Sequence, residues 1–162
     1  MREGGLKKEE KNLKESKLSP NGFTFPKALR LRKKKDYQRV YQGRKQVRNH
    51  LLKIFYLPQD KGFSRLGMSV SRRVARGVRR NRIRRLIREA FRLNQHQIPK
   101  GYDFIVIPLF QQERVPPFQE IQESLLCLTG KIAYREANKQ RKKHKNSQEI
   151  KGKENQNQES SK

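Results

Sequence analysis

Between Arg72 and Arg92, twenty-one residues hold ten arginines, one acidic residue (Glu89) and no lysine. Arginine presents a planar fork that grips phosphate oxygens bidentately and stacks on bases, whereas lysine is a compact point charge. A run this rich in arginine, with one carboxylate available to pair it, predicts close contact with nucleic acid rather than a merely solvated face. A second group mixes aromatics with cations: Tyr37 and Tyr41 lie beside Lys33, Lys34 and Lys35, and Phe55 lies beside Lys53. Exposed rings interleaved with bases are what single-stranded nucleic acid stacks on. The same three rings also suit a core, and periodicity alone favours the core.

Hydrolysis of a phosphodiester by protein groups needs clustered carboxylates around divalent metals, or a pair of histidines for proton transfer. Here Asp36, Asp60, Glu89, Asp103, Glu113, Glu120, Glu123 and Glu136 are spread over separate segments, and His50, His96 and His144 are equally dispersed. Neither a GxxxxGK[ST] nor a GxGxxG phosphate cradle occurs, which argues against nucleoside-triphosphate chemistry. No self-contained catalytic centre and no protein metal site is expected. The lone cysteine, Cys127, cannot close an internal disulfide and reads as a small core residue in a reducing compartment.

Elements to position these groups can be read from periodicity. Tyr37, Val40 and Tyr41 recur at i, i+3, i+4 and the pattern stops at Gly43, predicting a short basic helix. Two strands follow, HLLKIFYL and RLGMSVS, which a QDKG loop would join as a hairpin. Period 2 groups Leu52, Ile54 and Tyr56 on one face and Lys53 and Phe55 on the other, the second being the better candidate for a ligand. In the arginine run, Ile83, Leu86, Ile87, Ala90 and Phe91 form the apolar stripe of a helix. Asn81, Arg85, Arg88 and Arg92 fall within about 60° of one another on the opposite side. The continuously apolar YDFIVIPL predicts a central strand. Phe118, Ile121, Leu125, Leu128 and Ile132 predict a second packed helix, and a short extra strand fits around 72–78.

The 162 residues carry 41 Lys+Arg against 15 Asp+Glu, a formal charge of +26, which calls for a polyanionic partner. Residues 1–25 contribute +2 and residues 138–162 contribute +5, and both read as disordered tails with little apolar content. The remaining +19 belongs to residues 26–137, a single domain in size. No apolar run is long enough for a membrane span or a signal peptide, so a cytoplasmic protein with no membrane partner is expected. The order of elements predicts an α+β sandwich, helices on a small mixed sheet.

The segment RLGMSVSRRVARGVRRNRIRRLIREAFR resembles the signature of the protein component of bacterial ribonuclease P. LRLRKKKDYQRVYQGRK is similar to that family's first helix and IPKGYDFIVIP to its following strand, so the resemblance covers roughly residues 28–135. It implies a single αβββαβα domain with a left-handed βαβ crossover, where general rules favour a right-handed one. It further implies the non-catalytic protein subunit of an endoribonuclease whose RNA subunit, with bound Mg2+, removes the 5′ leader of precursor tRNA. The protein would broaden substrate range, bind the RNA subunit and precursor tRNA, and take no DNA. By this resemblance Arg72, Arg73, Arg80, Asn81, Arg82, Arg84, Arg85 and Arg88 bind the RNA subunit, and Tyr37, Tyr41, Phe55, Arg65 and Ser69 hold the leader. Where the family often has Phe in its first helix this chain has Tyr37 and Tyr41, and where it often has Tyr on the strand it has Phe55. A ribosomal or RNA-chaperone protein of related fold and a protein-only nuclease are the competing readings.

Overall fold

The computed structural model describes residues 25–110 and 114–159, with side chains of the last helix given to residue 142. The order is α1 (Lys34–Gln42), β1 (Gln46–Arg48), β2 (Leu52–Pro58), β3 (Arg65–Met68), α2 (Gly77–Leu93), β4 (Tyr102–Pro108) and α3 (Phe118–Glu159). Phe104, Ile105 and Val106 are buried in succession, and a strand covered on both faces must lie inside its sheet. β4 accordingly sits between β2 and β3 in the sheet order β1-β2-β4-β3. β2 runs antiparallel to β1 and β4, while β3 and β4 are parallel, with α2 as the connection between them.

The two faces of the sheet separate by strict alternation. Leu52, Ile54, Tyr56, Phe104 and Val106 meet Ile83, Ile87 and Phe91 of α2 and Ile121, Leu125, Leu128 and Ile132 of α3 in the main core. On the other face a small cluster joins Leu31, Val40 of α1 and Ile105, with Tyr37, Tyr41, Phe55, Leu57 and Ile107 packed around it. α1 and the α2/α3 pair thus cover opposite faces of one mixed sheet, the expected α+β sandwich with its αβββαβα order.

Several expectations are corrected. β2 and β3 do not form a hairpin, because β4 is inserted between them; the hairpin partner of β2 is β1, whose turn is closed by the Asn49 side chain accepting the Leu51 and Leu52 N–H groups at 3.0 and 2.8 Å. That strand replaces the one expected around 72–78, where the chain turns instead. The LRLR stretch precedes the helix rather than belonging to it: Arg30 bridges Leu66 in parallel, and the Leu31 N–H donates to the Leu66 carbonyl at 2.9 Å, extending the edge of β3. Cys127 is exposed, because it stands about 100° around the helix from its buried neighbour Leu128.

Residues 1–24 of the expected N-terminal tail lie outside the described residues, but Phe25 belongs to the core, 8% exposed and packed edge-on against Phe91 at 5.8 Å. At the other end α3 continues without a break to Glu159. No proline interrupts residues 118–159, and their Lys, Glu, Gln and Arg residues are good helix formers. Arg135 and Glu136 are the last described side chains with polar partners: Lys45 Nζ reaches the Glu136 carboxylate at 2.9 and 3.1 Å, and Tyr56 Oη donates to it at 3.3 Å.

Candidate nucleic-acid interface

α2 begins where Gly77 takes φ +51° after an extended Arg76 that provides no side-chain cap. Its first turn holds Arg79 and Arg80 and no acidic residue, the wrong sign for the positive end of a helix dipole unless an anion is bound. Beyond that turn the helix presents two arginine rows. Asn81, Arg82 and Arg85 are exposed on its outer side, as are Arg72 and Arg73 in the preceding turn. Arg80, Arg84 and Arg88 stand at i, i+4, i+8, and the Nε atom of each is buried with no hydrogen-bond partner among the described residues. Buried unpaired donors are costly, and no acceptor among the described residues offsets that cost in this row. Glu89 supplies none to the row: its carboxylate is held by Arg92, whose Nε donates at 3.0 Å, and that hydrogen bond keeps the carboxyl below its ordinary range.

Arg84 and Arg88 open into a cavity of about 290 Å³ lined also by Arg30, Arg32, Tyr37, Leu66 and Met68. Four arginines and no carboxylate surround it. The cavity joins the two groups that the sequence separates, since Tyr37 lines it from α1. Arg30 and Arg32 are not among the site residues expected from the sequence; their signal is the alternation of Leu29 and Leu31 with Arg30 and Arg32, a strand-like period beside a helical segment.

Tyr37, Tyr41 and Phe55 are half-buried, an intermediate outcome between core and open cleft. Tyr41 and Phe55 meet edge to face at 5.0 Å, and Lys53 Nζ stands 4.9 Å from the Phe55 ring centre, so a cation already lies over that ring. Tyr37 Oη accepts the Met68 N–H at 3.0 Å, satisfying a donor on the free edge of β3. Burial raises the pKa of this phenol. The Tyr37 hydroxyl therefore has a structural partner in the chain itself. Its ring lies over Gly67, where an added Cβ would stand 2.9 Å from Cζ and Oη of Tyr37 and 3.1 Å from Leu31 Cβ. Gly67→Ala is expected to displace the ring and lower stability by about 1–3 kcal/mol, read as a lower midpoint in urea.

Arg65 is placed differently from a ligand-binding group. Its Nε and Nη2 grip Asp103 Oδ1 and Oδ2 at 2.8 and 2.7 Å, and its Nη1 reaches Asp36 at 3.3 Å. Arg39 Nη2 adds a bond of 3.0 Å to the same Asp103. Two carboxylates that the sequence scatters thus converge on one guanidinium, and both Asp103 oxygens are taken by arginines. This network ties α1, through Asp36 and Arg39, to the β3–β4 pair and fixes the height of the aromatic ledge. Ser69 follows β3, half-exposed, with its N–H bonded to the Val106 carbonyl at 3.0 Å. Among the described residues no three His, Cys, Asp or Glu side chains gather as metal ligands, and no helix is long and apolar enough to cross a membrane.

Comparison with known proteins finds relatives of this chain and of its fold. The family model described as Ribonuclease P matches residues 25–133. The ribonuclease P protein component of Alkaliphilus oremlandii is 42% identical over 103 residues, covering 64% of this chain and 90% of that protein. That of Thermotoga maritima is 33% identical over 112 residues, covering 67% and 96%. Among solved structures, the Thermotoga maritima RNase P protein aligns with TM-score 0.55 at 36% identity over 60% of this chain and 91% of its own. The Staphylococcus aureus RNase P protein aligns with TM-score 0.57 at 34% identity over 66% and 96%. The chain belongs to the ribonuclease P protein family, the protein components of the endoribonuclease ribonuclease P.

Proposed function

We propose that this chain docks the RNA subunit of ribonuclease P through α2 and steadies the single-stranded 5′ leader of precursor tRNA on the α1 face of its sheet. Cleavage belongs to the RNA, with its own Mg2+. The observation that carries the reading is the cavity that Arg84 and Arg88 line with Arg30 and Arg32 and that Tyr37 shares, four guanidinium groups with no carboxylate among its lining residues. Phosphate oxygens are the acceptors that fit such donors. Arg72, Arg73, Asn81, Arg82 and Arg85 extend the contact outward. Tyr37, Tyr41 and Phe55, with Lys53, form the leader ledge; Ser69 lies at its margin, and Arg65 acts by positioning α1. Asp103 and Asp36 are committed to arginines, so that pair of carboxylates is closed to a metal. An enzyme of tRNA maturation works in the cytoplasm.

The purified protein mixed with a bacterial ribonuclease P RNA should restore precursor-tRNA cleavage at low Mg2+ and cleave nothing alone. Cleavage without RNA, or no restoration, would overturn the proposal. In the same assay Phe55→Ala should weaken leader-bearing precursor by about 1–3 kcal/mol and spare mature tRNA. Equal losses on both substrates would remove the leader assignment.

A further inference from the structure

α3 leaves the core at Ile132, its last buried apolar residue. From there it presents a face that no described residue covers. Lys131, Tyr134, Arg135, Lys139 and Lys142 are exposed, and Tyr134, at 71%, is among the most exposed large hydrophobic side chains of the described residues. At 100° per residue Lys131, Arg135 and Lys142 fall within about 40° of one another, with Tyr134 and Lys139 on either side. From end to end the stripe is about 16 Å long. The one acidic residue between Lys131 and Lys142 is Glu136, and Lys45 and Tyr56 hold it against the sheet. The positive charge of the stripe is therefore uncompensated within the described residues. Arg135 uses only one long bond, 3.4 Å from Nη1 to the Gln46 carbonyl.

This face begins where the family match ends. The match stops at residue 133, and α3 runs 26 residues further to Glu159, about 39 Å of helix. We infer that the exposed basic stripe of α3 is a second docking surface for the RNA subunit, held by phosphate contacts and by the Tyr134 ring. The inference rests on the proposed RNA-subunit binding by α2. The RNA subunit is the fitting occupant because α2 and α3 cover the same face of the sheet, whereas the leader ledge is on the other. The two helices pack against each other on that face, and an exposed aromatic among cations is suited to nucleic acid.

The test compares the full chain with the quadruple variant Lys131→Gln, Arg135→Gln, Lys139→Gln and Lys142→Gln, and separately with Tyr134→Ser, by RNA-subunit binding over a range of salt. The quadruple variant should bind about tenfold or more weakly, with a log–log salt slope shallower by about 0.9 for each phosphate no longer neutralised. Tyr134→Ser should weaken binding at every salt concentration without changing the slope. Both variants should keep the wild-type unfolding midpoint and, once assembled, the wild-type preference for leader-bearing substrate. Unchanged RNA-subunit affinity beside a wild-type chain that binds would overturn the second surface and leave α2 docking intact. So would a loss confined to precursor tRNA, or a change only in self-association. A wild-type chain that fails to bind the RNA subunit at all would overturn the function reading, and this inference with it.

Discussion

Asp103→Ala should lower folding stability by about 3–5 kcal/mol, the cost of stripping one partner from a buried ion pair. Asp103 is fully buried and accepts three hydrogen bonds from two arginines, while the Arg65 side chain is only 11% exposed. Alanine leaves a guanidinium inside the protein with Asp36 as its remaining carboxylate, in a chain already at +26. A domain of this size is typically stable by about 5–15 kcal/mol, so the loss is a large fraction of the whole. Asp103→Asn, which keeps one acceptor, should cost less. A urea titration gives the readout, and a midpoint within error of the wild type would show that the network holds nothing together. Because Asp36 and Arg39 belong to α1, the partly stable Asn variant should also bind leader less well than its stability loss explains.

What the sequence showed and what it hid follow from the range of each signal. The stripes Ile83–Ile87–Phe91 and Ile121–Leu125–Leu128–Ile132 are local, and each is buried as its period requires. The alternation that set Leu52, Ile54 and Tyr56 apart from Phe55 holds, the first three in the main core and Phe55 on the other face, because a pleat enforces period 2 whatever the neighbour strand is. Which strand is that neighbour is not local. A short QDKG loop reads as a hairpin until β4, forty residues on, is recognised as a strand needing partners on both edges. The Arg65–Asp103 pair was hidden for the same reason: its two residues become neighbours only through the parallel β3–β4 register. The arginine helix was legible by composition, but composition does not divide Arg80, Arg84 and Arg88, with buried Nε atoms, from Arg82 and Arg85 in solvent.

That division gives the second large effect. The double variant Arg84→Gln with Arg88→Gln keeps two of the three methylenes of each side chain and removes two of the four guanidinium groups around the cavity. Each charge-assisted hydrogen bond to a phosphate is worth about 1.5–3 kcal/mol, so RNA-subunit affinity should fall by roughly twice that, less any non-additivity between neighbours. The salt dependence should flatten by about 0.9 for each phosphate that the variant leaves to its counterions. The effect on the protein alone should have the opposite sign. Both Nε atoms are buried without partners in the described structure, and they stand one helical turn apart with like charge, so removing them relieves desolvation and repulsion. The unfolding midpoint of the isolated variant should be equal to or above that of the wild type. A structural role for these arginines predicts the reverse pairing, lower stability with affinity reduced only in proportion, and that result would remove the anion-binding assignment of the row. Arg65 provides the internal contrast: it has the same side chain on the same small domain, but with both oxygens of a buried carboxylate in its grip, so its loss should be felt in folding rather than in RNA binding.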